Sequence, residues 1–210
     1  MPVSPATENT MSKTDRTRMR LVAAVRKELE SNGSFNAAKV AQRAKTSTAT
    51  FYNHFESQDE AFDSAYRALM DDLVRHVTDG LKVETLLDIG LEDFAALWVA
   101  GCVRFFRSNN VLFAVAQAKA LSSVEVRRVY ADSEKRAIDH CERFVRLGQS
   151  AQLFRAGDAR DIARAMMILS EGYNNPAVLQ MEPGDALHRE LSGVIARLLE
   201  NTNSRSENNT

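Results

Sequence analysis

The stretch AQRAKTSTATFYNHF, residues 41 to 55, gathers Thr46, Ser47, Thr48, Thr50, Tyr52, Asn53 and His54 around only two large apolar side chains, Phe51 and Phe55. Four residues apart, Phe51 and Phe55 meet on one side of a helix. With Ser47 as N-cap, the helix runs from Thr48 to Asn53 and leaves Thr48, Ala49, Tyr52 and Asn53 outside. Lys45-Thr46 reads as a turn. Upstream, Asn36 caps a two-turn helix that ends near Ala44, with Phe35 and Val40 spaced as a hydrophobic staple. Downstream, Ser57 opens a longer helix with a capping box to Glu60, followed by Ala61, Phe62, Ala65 and Leu69 at helical spacing. Two short helices joined by a tight turn and braced by a longer one make a helix-turn-helix. Its second short helix is polar outside because that face is suited to a groove of DNA.

Outward from the motif, the first helix is expected from about Asp15 to Asn32. Leu21, Val22, Val25 and Leu29 share one face and Gly33 follows the end. Residues 11 to 56 carry nine bases against four acids, a balance of +5 that leaves −6 for the rest of a chain whose net charge is −1. A basic first quarter on an otherwise acidic chain points to a polyanion partner, although a charge run is also what a solvated face looks like.

The candidate contact set is Lys45, Thr46, Ser47, Thr48, Ala49, Thr50, Tyr52, Asn53, His54, Ser57 and Gln58. Tyr52 and His54 can donate to phosphate oxygens, and backbone amides at the starts of the two helices favour an anion. Asn53 can pair with an adenine edge and Thr48 with either type of edge, while Ala49 and the Thr methyls can pack on a thymine methyl.

Ala41, Arg43-Ala44, Ser47, Thr50-Phe51-Tyr52-Asn53-His54-Phe55 and Ser57, with the apolar pattern and Gly33 of the first helix, resemble the TetR family of bacterial transcriptional regulators. The resemblance covers residues 16 to about 66. It implies a three-helix DNA-binding domain over 15–66, a helical effector-binding and dimerisation domain over 67–200, and a homodimer on a DNA operator. Two positions depart from the family pattern. Lys45 stands where the family usually has a turn Gly, and Gln58 stands where a phosphate-directed Lys commonly follows the Ser.

The class is all-α. The four prolines lie at 2, 5, 176 and 183, outside the periodic segments, and no alternating β-branched stretch occurs. Residues 1–14 and 201–210 are polar and read as disordered. The fourth helix is expected to reach about Leu81, followed by helices at 85–107, 110–120, 123–155 with a break near Gly148, 158–174 and 185–200. At 44% apolar and 26% charged, the chain can bury a core without staples. Its longest uncharged apolar run, residues 95 to 103, is far short of the ~20 needed to span a membrane. The first fifteen residues contain no hydrophobic signal region, so a cytoplasmic location is expected. Cys102 and Cys141, inside helical patterns and away from other ligand types, read as buried free thiols.

Phe94, Trp98, Phe105, Phe106, Phe113, Phe144 and Phe154 concentrate aromatic surface in the middle of the chain. With Cys102 they form a candidate effector wall, and Gln117, Ser170, Glu171, Tyr173 and Asn174 would supply polar contacts; the competing reading is plain core. The run from Ser108 through Gln117 to Ser123-Val124-Glu125-Val126 also resembles the actinobacterial TetR-type repressor of ethionamide activation, whose ligands are lipophilic. That resemblance implies a small lipophilic effector. Ile162, Met166 and Leu169, then Leu187, Leu191, Val194, Ile195 and Leu198, make apolar seams suited to a four-helix dimer interface. No cofactor is implied, and no phosphate-cradling Gly loop, HExxH pair or nucleophile elbow points to an enzyme. The alternative is a helical lipid- or partner-binding protein of the same fold without DNA recognition.

Overall fold

The computed structural model describes residues 12–201, among which there are ten α-helices and no β-strand. They are α1 (Lys13–Asn32), α2 (Ala37–Arg43), α3 (Thr48–His54), α4 (Gln58–Gly80), α5 (Val83–Ile89), α6 (Leu91–Ala120), α7 (Val124–Ser150), α8 (Ala159–Glu171), α9 (Pro176–Leu179) and α10 (Ala186–Leu199). The expected disordered ends lie outside the described residues, except where they meet the helical body. Ser12 caps α1, accepting the Asp15 amide at 3.0 Å, so the helix starts two residues ahead of Asp15. The chain forms two compact units divided between Ala68 and Leu69, beside the 66/67 boundary expected from the sequence.

The first unit is built from α1 to α3 and the start of α4, on a core of Leu21, Val25, Leu29, Val40, Phe51, Phe55 and Phe62, none more than 2% exposed. Each short helix begins with the cap its sequence supplies: Asn36 accepts the Lys39 amide at 2.9 Å and Ser47 the Thr50 amide at 3.1 Å. At the Ser57 cap the Glu60 amide bonds to Ser57 Oγ at 3.1 Å, and the Glu60 carboxylate reaches back to the Glu56 amide at 2.6 Å. The turn between α2 and α3 is a Schellman motif. The Lys45 amide donates to Gln42 O at 3.0 Å and the Thr46 amide to Ala41 O at 2.9 Å. Lys45 therefore takes φ 52°, the left-handed conformation that Gly accepts without penalty. The family-like turn is retained with Lys in the strained position.

The second unit departs from the expected helix limits in three places. Gly90, at φ 82°, separates α5 from α6 inside the expected 85–107 helix. The expected interruption at 107–110 does not occur, because Asn109 is buried and its side-chain amide bonds the Phe105 carbonyl at 2.8 Å, so α6 runs unbroken. α7 continues through Gly148 and stops at Ser150, where Gln152 at φ 57° turns the chain. Phe154 then folds back onto Gly148, and the Arg155 amide bonds Leu199 O at 2.9 Å, tying the end of α7 to the end of α10. The cores of this unit are formed by α6 against α10, and α7 against α8.

Candidate nucleic-acid interface and effector cavity

In α3, Phe51 and Phe55 are buried while Thr48, Ala49, Tyr52 and Asn53 are exposed, which is the division that their spacing requires. Lys45, Ser47, Ser57 and Gln58 are also exposed; Thr46, Thr50 and His54 are half-buried. Three hydroxyls already have structural partners. Ser47 Oγ caps α3 and lies 2.9 Å from Thr50 Oγ1, and Ser57 Oγ caps α4.

The pose of α3 is fixed from behind by Arg18, which the sequence reading counted only as charge. Its guanidinium donates to the His54 carbonyl, to Ser64 Oγ at 3.0 Å and to Glu60 Oε1 at 3.3 Å, and lies 4.5 Å over the Phe55 ring. Arg20 donates to the Ala44 carbonyl at the end of α2. Arg43 Nε bonds the buried Glu28 carboxylate at 2.6 Å, whose other oxygen accepts from Asn32 at 3.1 Å. Three of the nine bases thus brace the unit, and the +5 surplus overstates the charge available to a polyanion. Arginine suits this work because one rigid fork satisfies several acceptors.

In the second unit the aromatics divide into two groups. Phe94 stacks on Phe144 at 5.3 Å and Phe144 meets Phe154 edge-on at 5.1 Å, which makes them interior packing. The other group surrounds His76, whose ring stacks on Trp98 at 5.7 Å and on Phe105 at 5.3 Å, with Phe106 and Phe113 beyond. A cavity lies here between α4, α6, α7 and α8. Of the expected effector residues, Trp98, Cys102, Phe106 and Ser170 line it. Phe113 sits behind Phe106, Tyr173 is buried off the lining, Asn174 belongs to the 3-10 turn and Gln117 faces solvent from α6. Phe105 and Glu171, also expected there from the sequence, line it as well, whereas His76, Tyr130 and Glu134 were not foreseen. Their helices are far apart in sequence, so no local spacing announces them.

The space open to the centre of a water molecule is about 20 Å³, well below the ~300–1,000 Å³ of an open ligand pocket, because the rings fill it. Trp98 Nε1 donates to Ser170 Oγ at 3.2 Å, and Ser170 donates onward to Met166 O at 2.8 Å. Burial lowers the pKa of His76, and nearby Arg104 adds to the effect against Asp79. Its Nε2 is buried with no hydrogen-bond partner among the described residues. Cys102 and Cys141 are free and buried; burial raises both thiols, that of Cys141 to about 12. No cluster of His, Cys, Asp and Glu among the described residues could hold a metal ion, and no helix is long and apolar enough to cross a membrane.

The residues expected to form the C-terminal seam differ in burial. Ile162, Met166 and Ile195 are at most 3% exposed within the single chain and pack in its core. Leu169, Leu187 and Val194 are exposed, and Leu191 and Leu198 half-buried.

No protein-family model and no curated protein matches the sequence, whereas many solved structures match the fold. A TetR-family transcriptional regulator from Mesorhizobium loti superposes with a TM-score of 0.72 at 16% identity, over 90% of this chain and 95% of that one. The chain has the TetR-regulator fold. A TetR transcription regulator from Haloarcula marismortui gives a TM-score of 0.71 at 13% identity over 89% of this chain and all of that one. A transcriptional regulator from Saccharomonospora viridis, solved in complex with choline, gives 0.64 at 20% identity over 89% and 99%. In this TetR-like fold, α2 and α3 are the helix-turn-helix that the opening stretch foretold, and the cavity lies in the larger helical unit.

Proposed function

We propose that the chain is a homodimeric, ligand-responsive transcriptional regulator, a repressor that binds a palindromic operator through α3 and is released by a small lipophilic effector. The observation that carries this reading is α3 itself: a capped helix with an exposed face of Thr48, Ala49, Tyr52 and Asn53, held from behind by Arg18. Tyr52 and His54 position the helix on phosphates, and Thr48, Ala49 and Asn53 read base edges.

Binding is expected to weaken with salt at a log-log slope of about −0.9 per phosphate neutralised. Tyr52→Phe or His54→Ala should weaken specific and random DNA about equally, while Asn53→Ala should lower discrimination by roughly 1 to 3 kcal/mol. Competition gel shifts at fixed salt measure both; an unchanged preference in Asn53→Ala rejects base reading by that residue.

A dimer presents two copies of α3 to successive major grooves. Support for it comes from α10, which carries two seams with the same 4-3-4 spacing. His188, Ser192, Ile195 and Leu199 are buried inside the unit; Leu187, Leu191, Val194 and Leu198, all aliphatic, form the outer seam. The more apolar seam faces outward, the inverse of what a monomer needs. The double variant Leu187→Glu/Val194→Glu should remain folded, sediment as a monomer and lose most operator affinity, since charges on this seam would be buried in a dimer. Sedimentation as a dimer at micromolar concentration would remove this interface.

Effector control rests on α4, which supplies Glu60 and Ser64 to Arg18 in the first unit and His76 to the cavity in the second. A ligand that opens the cavity favours one conformation of α4 over another. About 3 kcal/mol of coupling corresponds to about a 150-fold loss of operator affinity. The choline complex of the Saccharomonospora viridis regulator supports a small-molecule effector.

A further inference from the structure

We infer that the cavity takes an organic cation carried on an apolar body, with the charge held by Glu171 and Glu134. This deepens, and rests on, the reading of the cavity as an effector site. The walls are apolar and aromatic, lined by Trp98, Phe105, Phe106 and Tyr130, and aromatic rings attract cations. The only charged side chains on the lining are two carboxylates, with no Lys or Arg among them. Glu134 follows Tyr130 by one turn of α7. Glu171 is the last residue of α8, whose last turn carries no base and whose C-terminal dipole adds negative potential.

The edge of the cavity is closed by a hydrogen bond from the Tyr130 hydroxyl to Glu171 at 2.5 Å, between two residues that are exposed while Trp98, Cys102 and Ser170 behind them are buried. Burial raises the pKa of Glu171 and the Glu134 charge adds to the rise, against the Tyr130 hydrogen bond, the behaviour of a carboxyl without a cationic partner. A molecule entering here displaces the Tyr130 hydroxyl. A neutral hydrocarbon would take the Tyr130 hydroxyl from the Glu171 carboxylate with nothing in exchange, and an anion would be repelled; a cation replaces the lost bond with charge pairing. The buried, unpartnered His76 Nε2 on the same lining is a further polar contact awaiting a ligand.

The probes are phenyltrimethylammonium and tert-butylbenzene, which share one shape and differ by the charge. Trp98 is the only tryptophan, so its emission in the full-length protein reports the cavity directly. Phenyltrimethylammonium is expected to change that emission and to bind at least about tenfold more tightly than tert-butylbenzene. Glu171→Gln, which keeps the size and the acceptor for Tyr130, is expected to lower the ratio severalfold without altering helicity, and an unchanged ratio overturns the role of Glu171. Glu134→Gln carries the same test on the half-buried carboxylate if Glu171→Gln fails to fold. Equal or tighter binding of tert-butylbenzene overturns the cation while leaving the effector cavity intact. Silence of Trp98 to both probes overturns the cation and the effector cavity together, and leaves DNA binding by α3 to stand on its own measurements.

Discussion

Phe51→Ala is expected to unfold the first unit and abolish DNA binding while the second unit keeps its native Trp98 emission. The Phe51 ring is fully buried, 5.2 Å from both Tyr52 and Phe55, at the centre of the small core that α1, α2 and α3 share. Truncating a buried Phe costs ~3–5 kcal/mol, and a unit this small has little more than that in total. Circular dichroism should lose the helicity of α1 to α3 at temperatures where wild type is intact. Asn53→Ala, two residues on and on the opposite, exposed face of α3, should melt like wild type. A Phe51→Ala protein that melts within a degree of wild type and binds DNA would mean that α3 is not anchored by this ring.

Gly148→Ala should destabilise the second unit, against the ~1 kcal/mol that alanine ordinarily gains over glycine within a helix. A Cβ there would lie 2.1 Å from Phe154 Cδ2 and 2.3 Å from Cε2, and the ring has no free side to move into. It is 2% exposed and packed edge-on against Phe144. The backbone around it is pinned by the Leu153 amide on Gly148 O at 2.8 Å and the Arg155 amide on Leu199 O at 2.9 Å. Overpacking of this kind costs ~1–3 kcal/mol. Calorimetry should show a lowered melting temperature, and Phe154→Ala should largely remove the effect of Gly148→Ala, because the two share one contact. A raised melting temperature in the single variant would contradict the packing.

What could be read in the sequence follows the range of the interactions. The inward and outward faces of α3 depend on Phe51 and Phe55 four residues apart and on a cap three residues from its amide, all local. The roles of Arg18, Arg20 and Arg43 were not legible, since their acceptors at His54, Ala44 and Glu28 lie 36, 24 and 15 residues away. The aromatics looked like one stripe because most lie on α6. Phe94 and Trp98, four apart, nonetheless meet different neighbours, Phe144 on α7 and His76 on α4. Of the aromatics expected together, Phe94, Phe113 and Phe144 accordingly lie off the cavity lining, and of its two carboxylates Glu171 but not Glu134 was read from the sequence. On α10 two seams one residue apart share a period, and only packing on α6 decides that the one containing His188 and Ser192 is inner. His188 there bonds the Ala96 carbonyl at 3.1 Å, so a polar seam is satisfied inside while an aliphatic one is left outside. Periodicity finds such seams, but it does not say which one the fold covers.

Selection of bound duplexes from a random pool by the full-length protein tests the central claim most directly. Two copies of α3 reading major grooves should enrich an inverted repeat, its half-sites spaced by about one helical turn, ~10 base pairs, or a multiple of it. The Asn53→Ala protein should enrich a more degenerate version of the same repeat. Failure to enrich any sequence at low salt, or enrichment of one unrepeated half-site, would contradict a dimer that reads DNA through α3.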